Sequence, residues 1–149
     1  QGWVYLAFVI DLFSRQVVGW ALSRSLDHGL VLKALERARQ KRKPELGLMI
    51  HSDRGVQYAC TGFRQVLKRY GYVQSMSRKA DCWDNAAAES FFHLLKSELI
   101  YHYAWYGYAD VHAALFEYIE LFYNRERTHS TLGYLTPVDF EQQALKIAA

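Results

Sequence analysis

Residues 3–11, WVYLAFVID, form a nearly continuous apolar run rich in β-branched and aromatic side chains, which predicts a strand buried on both faces. LFSR then breaks the run as a short turn, and QVVGWALS resumes it, so the two segments predict an antiparallel hairpin. The period changes after that. Val31, Ala34, Leu35 and Ala38 recur at helical spacing behind Asp27, a good N-cap, and the helix ends in RARQKRKP, where Pro44 stops it. LGLMI is a short buried strand that ends just before Asp53. Phe63, Val66, Leu67 and Tyr70 give one apolar face to a helix that Thr61 can cap and Gly71 terminates. YVQSMS predicts another strand and RKADCWD a polar loop. A helix follows from near Asn85 to about Leu99, with Phe92, Leu95 and Leu99 as its apolar stripe. Beyond the aromatic stretch YHYAWYGY, a helix from about Asp110 to Tyr123 carries Val111, Ala114, Leu115, Tyr118, Ile119 and Phe122 on one side. The last helix starts at Thr136-Pro137, an N-cap followed by proline at the first helical position, with Asp139 placed to complete the cap.

Hairpin, helix, strand, helix, strand and several helices make an α/β pattern, in which the strands linked through helices should run parallel. At 149 residues the chain fits one domain with a real core. The excess of 18 basic over 15 acidic residues permits nucleic-acid binding without requiring it. Cys60 and Cys82 fit no zinc or redox spacing, and two free thiols point to a reducing compartment, most simply a cytoplasm. No apolar run is long enough to span a bilayer. The chain starts at Gln1 with no signal peptide and reads as part of something longer.

Two stretches carry candidate chemistry. In HSDRGVQY, Asp53 leaves a strand of an α/β sheet at its carboxyl end, where ligand sites of such sheets gather. SDRG is also ordinary turn chemistry. In DNAAAESFFHLLKSEL, Asp84 or Asn85 caps a helix, and Glu89, His93 and Lys96 fall on one polar stripe. Seven residues of helix span roughly 10 Å, so the stripe can set a carboxylate at a metal and an ammonium one or two phosphates away. The plainer reading is a solvated face, with Glu89 favoured by the helix dipole. His51 and His129 are undecided by sequence.

The stretches YLAFVIDLFSRQVVGWALS, HSDRGVQY, SMSRKADCWDNAAAESFFHLLKSEL and YNRERTHSTLGYLTPVDF occur in this order over nearly the whole chain. Together they resemble the catalytic core of insertion-sequence transposases of the retroviral-integrase type, the DDE group. The resemblance implies a ribonuclease H-like mixed sheet flanked by helices. It makes residues 1–149 an integrase-type core, with sheet and active-site helix over about 1–108 and a helical extension over about 109–149. By position, Asp53 resembles the second catalytic aspartate and Glu89 the catalytic glutamate, both as metal ligands. Asn85 falls in the motif that positions the glutamate helix, and His93 and Lys96 where side chains approach a DNA end. Arg125, Arg127 and His129 in YNRERTHS are further DNA candidates, as is the basic run Arg37, Arg39, Lys41, Arg42 and Lys43. Ala80 stands where the family usually has glycine. The implied cofactor is a pair of Mg²⁺ or Mn²⁺ ions. The implied partners are transposon-end and target DNA and further copies of the chain, with no membrane, in a bacterial cytoplasm at the nucleoid.

The family's first catalytic aspartate lies on a strand that precedes WVYLAFVID. Asp11 matches instead the family's DLFSR turn and reads as a turn residue. The sheet is therefore expected to lack its first, central strand, and with it the carboxylate shared between two ions. Three readings follow: a metal-dependent transposase core completed by an upstream strand; a catalytically silent fragment that binds DNA or joins full-length transposase; and a ribonuclease H-like nuclease for RNA–DNA hybrids, against which DNAAAESFF and YNRERTHSTLGY argue.

Overall fold

The computed structural model describes residues 2–52, 61–76 and 86–148. The elements are β1 (Tyr5–Ile10), β2 (Val17–Ser23), α1 (His28–Arg42), β3 (Met49–Ser52), α2 (Thr61–Tyr70), β4 (Val73–Met76), α3 (Ala86–Glu98), α4 (Tyr108–Phe116) and α5 (Pro137–Ala148). A π-helical stretch, Glu117–Tyr123, prolongs α4. By contact density the chain divides into two units. One comprises Gly2–Val9 and Val18–Glu89; the other comprises Ile10–Val17 and Ser90–Ala149, so the division falls inside α3.

In the first unit, β1 and β2 pair through a connection of residues 11–16, too short for anything but an antiparallel hairpin. β3 and β4 pair in parallel, with Ile50 opposite Gln74 and His51 opposite Ser75. Both pairs face one helical layer. Ala7 and Ala21 from the hairpin share a core with Leu30, Val31, Ala34 and Leu35 of α1 and Phe63 and Leu67 of α2, and Ile50 of β3 packs against it. Gly19 permits the close approach of β2 to α1: a Cβ there would collide with the Ala34 carbonyl and lie 2.6 Å from the Ala38 nitrogen. Asp27 caps α1, its carboxylate accepting from the Leu30 N–H at 3.2 Å. α2 ends as its sequence requires. Gly71 turns at φ +74°, its N–H donates to the Lys68 carbonyl, and the Tyr72 N–H reaches back to that of Leu67.

Among the described residues, β1 and β3 share no hydrogen bonds, so two two-stranded sheets stand where one mixed sheet would be continuous. The expectation of a β1 buried on both faces is corrected. Ala7 is its one buried residue and Trp3 is 80% exposed, whereas β2 is buried from Val17 to Leu22. LGLMI is corrected likewise: the strand is Met49–Ser52, and Leu46, Leu48 and Met49 are exposed. The physical reason is common to both. Among the described residues β1 and β3 each pair on one side only, and an apolar run is buried on both faces only where neighbours cover it.

In the second unit, Phe91 meets Tyr123 edge-on at 5.0 Å, and Phe13 of the hairpin turn packs on Phe140 of α5 at 5.0 Å. Thr136 caps α5, accepting from the Asp139 N–H at 3.1 Å. Asn124 joins this unit through its amide. Its Oδ1 accepts from the Val17 N–H and its Nδ2 donates to the Val17 carbonyl, both at 3.0 Å and both buried. A side chain thus does for Val17 what a neighbouring strand would do.

The π-helical stretch changes which residues face inward. A period of 3.6 puts Phe122 beside Tyr118, but a π turn advances by i+5. Tyr118 and Tyr123 are accordingly buried together and Phe122 is 38% exposed, contrary to the sequence expectation. On α3 the buried residues are Ala87, Phe91 and Leu95, spaced by four, rather than the stripe through Phe92, which is 36% exposed. No helix among the described residues is long and apolar enough to cross a membrane.

Candidate active site

β3 delivers the chain to Asp53, which lies outside the described residues, as do Asn85 and Ala80. What precedes Asp53 is informative. His51 Nδ1 lies 3.3 Å from the Oγ of its cross-strand neighbour Ser75. Ser52 is 8% exposed, and among the described residues neither its Oγ nor the buried His51 Nε2 has a hydrogen-bond partner. The strand therefore ends on polar side chains where Asp53 follows in sequence.

Glu89 lies in the first turn of α3, exposed, where the helix dipole favours a carboxylate. His93 and Lys96 are also exposed, and the Lys96 ammonium sits 5.8 Å from the Phe92 ring centroid. The polar stripe read from sequence is thus on the solvent side of the helix, opposite Phe91 and Leu95. A hard carboxylate oxygen held in solvent suits Mg²⁺ or Mn²⁺. Among the described residues, no three His, Cys, Asp or Glu side chains gather into a cation site.

Asp11 is a turn residue. Its Oδ1 accepts from the Phe13 N–H at 2.8 Å and the Ser14 N–H at 3.2 Å.

The basic candidates divide by their surroundings. Arg125 is exposed. Arg127 is not a free surface cation: its Nε lies 2.9 Å from both carboxylate oxygens of Glu98. The Tyr118 hydroxyl donates to the same carboxylate at 2.6 Å. Burial pushes the Glu98 carboxyl up, but Arg127 and Tyr118 outweigh it and hold it below the usual range. His129 is a packed ring, 9% exposed and edge-on to Tyr123 at 5.0 Å, and burial together with Arg127 disfavours its protonation. On α1, Arg37 donates to the Trp20 carbonyl at 2.8 Å. Arg39 grips Glu36 with two nitrogens, at 3.0 and 2.7 Å, and Tyr70 donates to the same carboxylate. Arg39 and Tyr70 together lower the Glu36 carboxyl to about 2. These two arginines brace the helical layer.

Sequence reasoning missed Glu98, Tyr118 and Asn124. One signal was present: Glu98 is an acidic residue in the last turn of a helix, against the dipole, which demands a compensating partner. A groove of about 840 Å³ between the end of α3 and α4 is lined by Tyr103, Trp105 and Tyr106 with Glu98, Asp110 and Glu117. Among the described residues its wall holds no lysine or arginine, so its chemistry is the opposite of a phosphate site.

The sequence pattern of the integrase core domain matches residues 1–82, and a second pattern of the same description matches 89–145. The InsF transposase of an Escherichia coli insertion sequence is 45% identical over 145 residues, covering 97% of this chain and 50% of that protein. Among solved structures, a chain of a simian T-cell lymphotropic virus intasome superimposes with a TM-score of 0.70 at 16% identity, over 91% of this chain and 47% of that one. The HTLV-2 integrase catalytic core domain, solved in complex with magnesium, gives 0.63 at 16% identity, over 91% and 82%. The chain spans about half the length of the curated relatives it matches. The fold is that of the ribonuclease H-like integrase cores, and the chain belongs to the integrase core domain family.

Proposed function

We propose that this chain is the catalytic part of a DNA transposase that cleaves a DNA strand at a mobile element's end and joins the freed 3′-hydroxyl to target DNA. The observation that carries the reading is the α3 stripe on an integrase-type fold: Glu89, His93 and Lys96 share one exposed face. Asp53 and Glu89 would hold two divalent cations, Mg²⁺ or Mn²⁺, as their hard oxygen chemistry suits. When bound, such ions lower the pKa of water and offset charge on the phosphodiester. Asn85, next in sequence before the helix that carries Glu89, would position it. Lys96, with His93 and Arg125, neutralises DNA phosphates and sets the register of the strand. Arg127 contributes by holding Glu98. A third carboxylate would come from a further strand that pairs with β1 and β3, which share no hydrogen bonds among the described residues. The working species is a homo-oligomer on DNA in the bacterial cytoplasm.

A second reading, a catalytically silent module that binds DNA or joins full-length transposase, draws on one observation: Asp11, the acidic residue that follows β1, accepts from the turn amides of Phe13 and Ser14. Nicking of an oligonucleotide carrying the element's end, with Mg²⁺ or Mn²⁺, separates the two. A chain extended to its relatives' length is expected to nick, and the 149-residue chain is expected to bind DNA without nicking. Nicking by neither would leave the silent module. Nicking by the short chain that Asp11→Asn abolishes would make Asp11 the missing ligand.

A further inference from the structure

We infer that Glu98 is a positioning residue for DNA binding: its latch to Arg127 and Tyr118 fixes the rotation of the last turn of α3 and so the direction in which Lys96 points. The inference rests on the DNA-binding role proposed above for Lys96.

Glu98 is the last residue of α3. A carboxylate there faces the negative end of the helix dipole, and its side chain is only 29% exposed. Local helix chemistry gives no reason for it; its partners do. Both carboxylate oxygens lie 2.9 Å from Arg127 Nε, and one accepts from Tyr118. Arg127 is itself held, donating through Nη1 to the Thr128 carbonyl at 3.2 Å. Tyr118 arrives on the π-helical stretch, which is buried at Tyr118, Ile119 and Tyr123.

Successive helical residues are about 100° apart, so Lys96 and Glu98 point about 200° apart. Tethering Glu98 inward therefore aims Lys96 outward, and Lys96 is exposed. The tether is needed because the helix gives out here. Leu99 still donates to the Leu95 carbonyl at 2.9 Å, but the chain then tightens into a 3₁₀ turn at Ile100–His102. A terminal turn lacks the next turn's hydrogen bonds and frays unless something holds it. A frayed turn presents its ammonium in no fixed direction.

Binding of this chain to a labelled DNA duplex is measured by fluorescence anisotropy across salt concentrations for wild type, Glu98→Ala, Lys96→Ala and the double variant. Amide hydrogen exchange over residues 95–99 is followed without DNA. Glu98→Ala is expected to weaken binding about fivefold and to flatten the log–log salt slope by about one, as loss of one phosphate contact does. Lys96→Ala should do the same, and the double variant should be no weaker than Lys96→Ala. Exchange at the end of α3 should accelerate about tenfold or more as its opening becomes easier. Glu98→Gln keeps the acceptor without the charge and should fall between, which separates a lost latch from a misfolded chain. Additive effects of the two substitutions, or unchanged exchange in Glu98→Ala, would overturn the inference. Failure of wild type to bind DNA would instead remove the proposed function and Lys96's role, while exchange alone judges the latch.

Discussion

Glu89→Gln is expected to slow cation-dependent DNA nicking about a thousandfold or more in a chain extended to its relatives' length. Glutamine keeps the shape and one neutral oxygen but removes the negative charge that binds the cation. A bound cation supplies several kcal/mol of transition-state stabilisation, and each 1.4 kcal/mol or so is a factor of ten in rate. Glu89 is exposed in the first turn of α3, so its exchange for glutamine costs the fold little beyond a modest dipole interaction. The measurement is nicking rate against cation concentration, with a denaturation curve as control. A loss of less than about tenfold would remove Glu89 from the ligand set.

The second large effect is on stability. Asn124→Ala is expected to cost about 3 kcal/mol, because it strands both backbone groups of Val17. Val17 is 0% exposed and Asn124 1%, so water cannot replace the lost amide without opening the structure. Asn124→Asp is not a rescue: it keeps the acceptor for the Val17 N–H but sets a buried carboxylate against the Val17 carbonyl. The midpoint of urea unfolding reads both, and a shift equivalent to less than about 1 kcal/mol would mean the pairing is incidental.

Much of this architecture is legible in the letters, for reasons that differ by element. α1 is readable because its four expected core positions, Val31, Ala34, Leu35 and Ala38, are all buried behind an asparate N-cap at Asp27. α2 and α5 are readable from their punctuation, Gly71 at one end and Thr136-Pro137 at the other. The failures also have causes. WVYLAFVID and LGLMI state how apolar a strand is, but its burial depends on what pairs beside it, which a single segment does not encode. Phe122 and Tyr123 exchange places because a π turn is invisible to a 3.6-residue period. Arg127 and Lys96 look alike as cations in a list of residues. Only their surroundings distinguish a guanidinium paired with Glu98 from an ammonium on an exposed face. Asp11 and Asp53 both end apolar runs, and the two amide donors on Asp11 mark it as part of a turn.

The most direct test is whether Asp53 and Glu89 grip the same cation. Mn²⁺ is titrated into isotope-labelled chain, and paramagnetic broadening of backbone amide resonances is followed. Residues around 53 and around 89 are expected to broaden together at one Mn²⁺ concentration, and both effects should vanish in Glu89→Gln. Broadening at only one of the two segments, or at both with Glu89→Gln unchanged, would contradict a shared metal site.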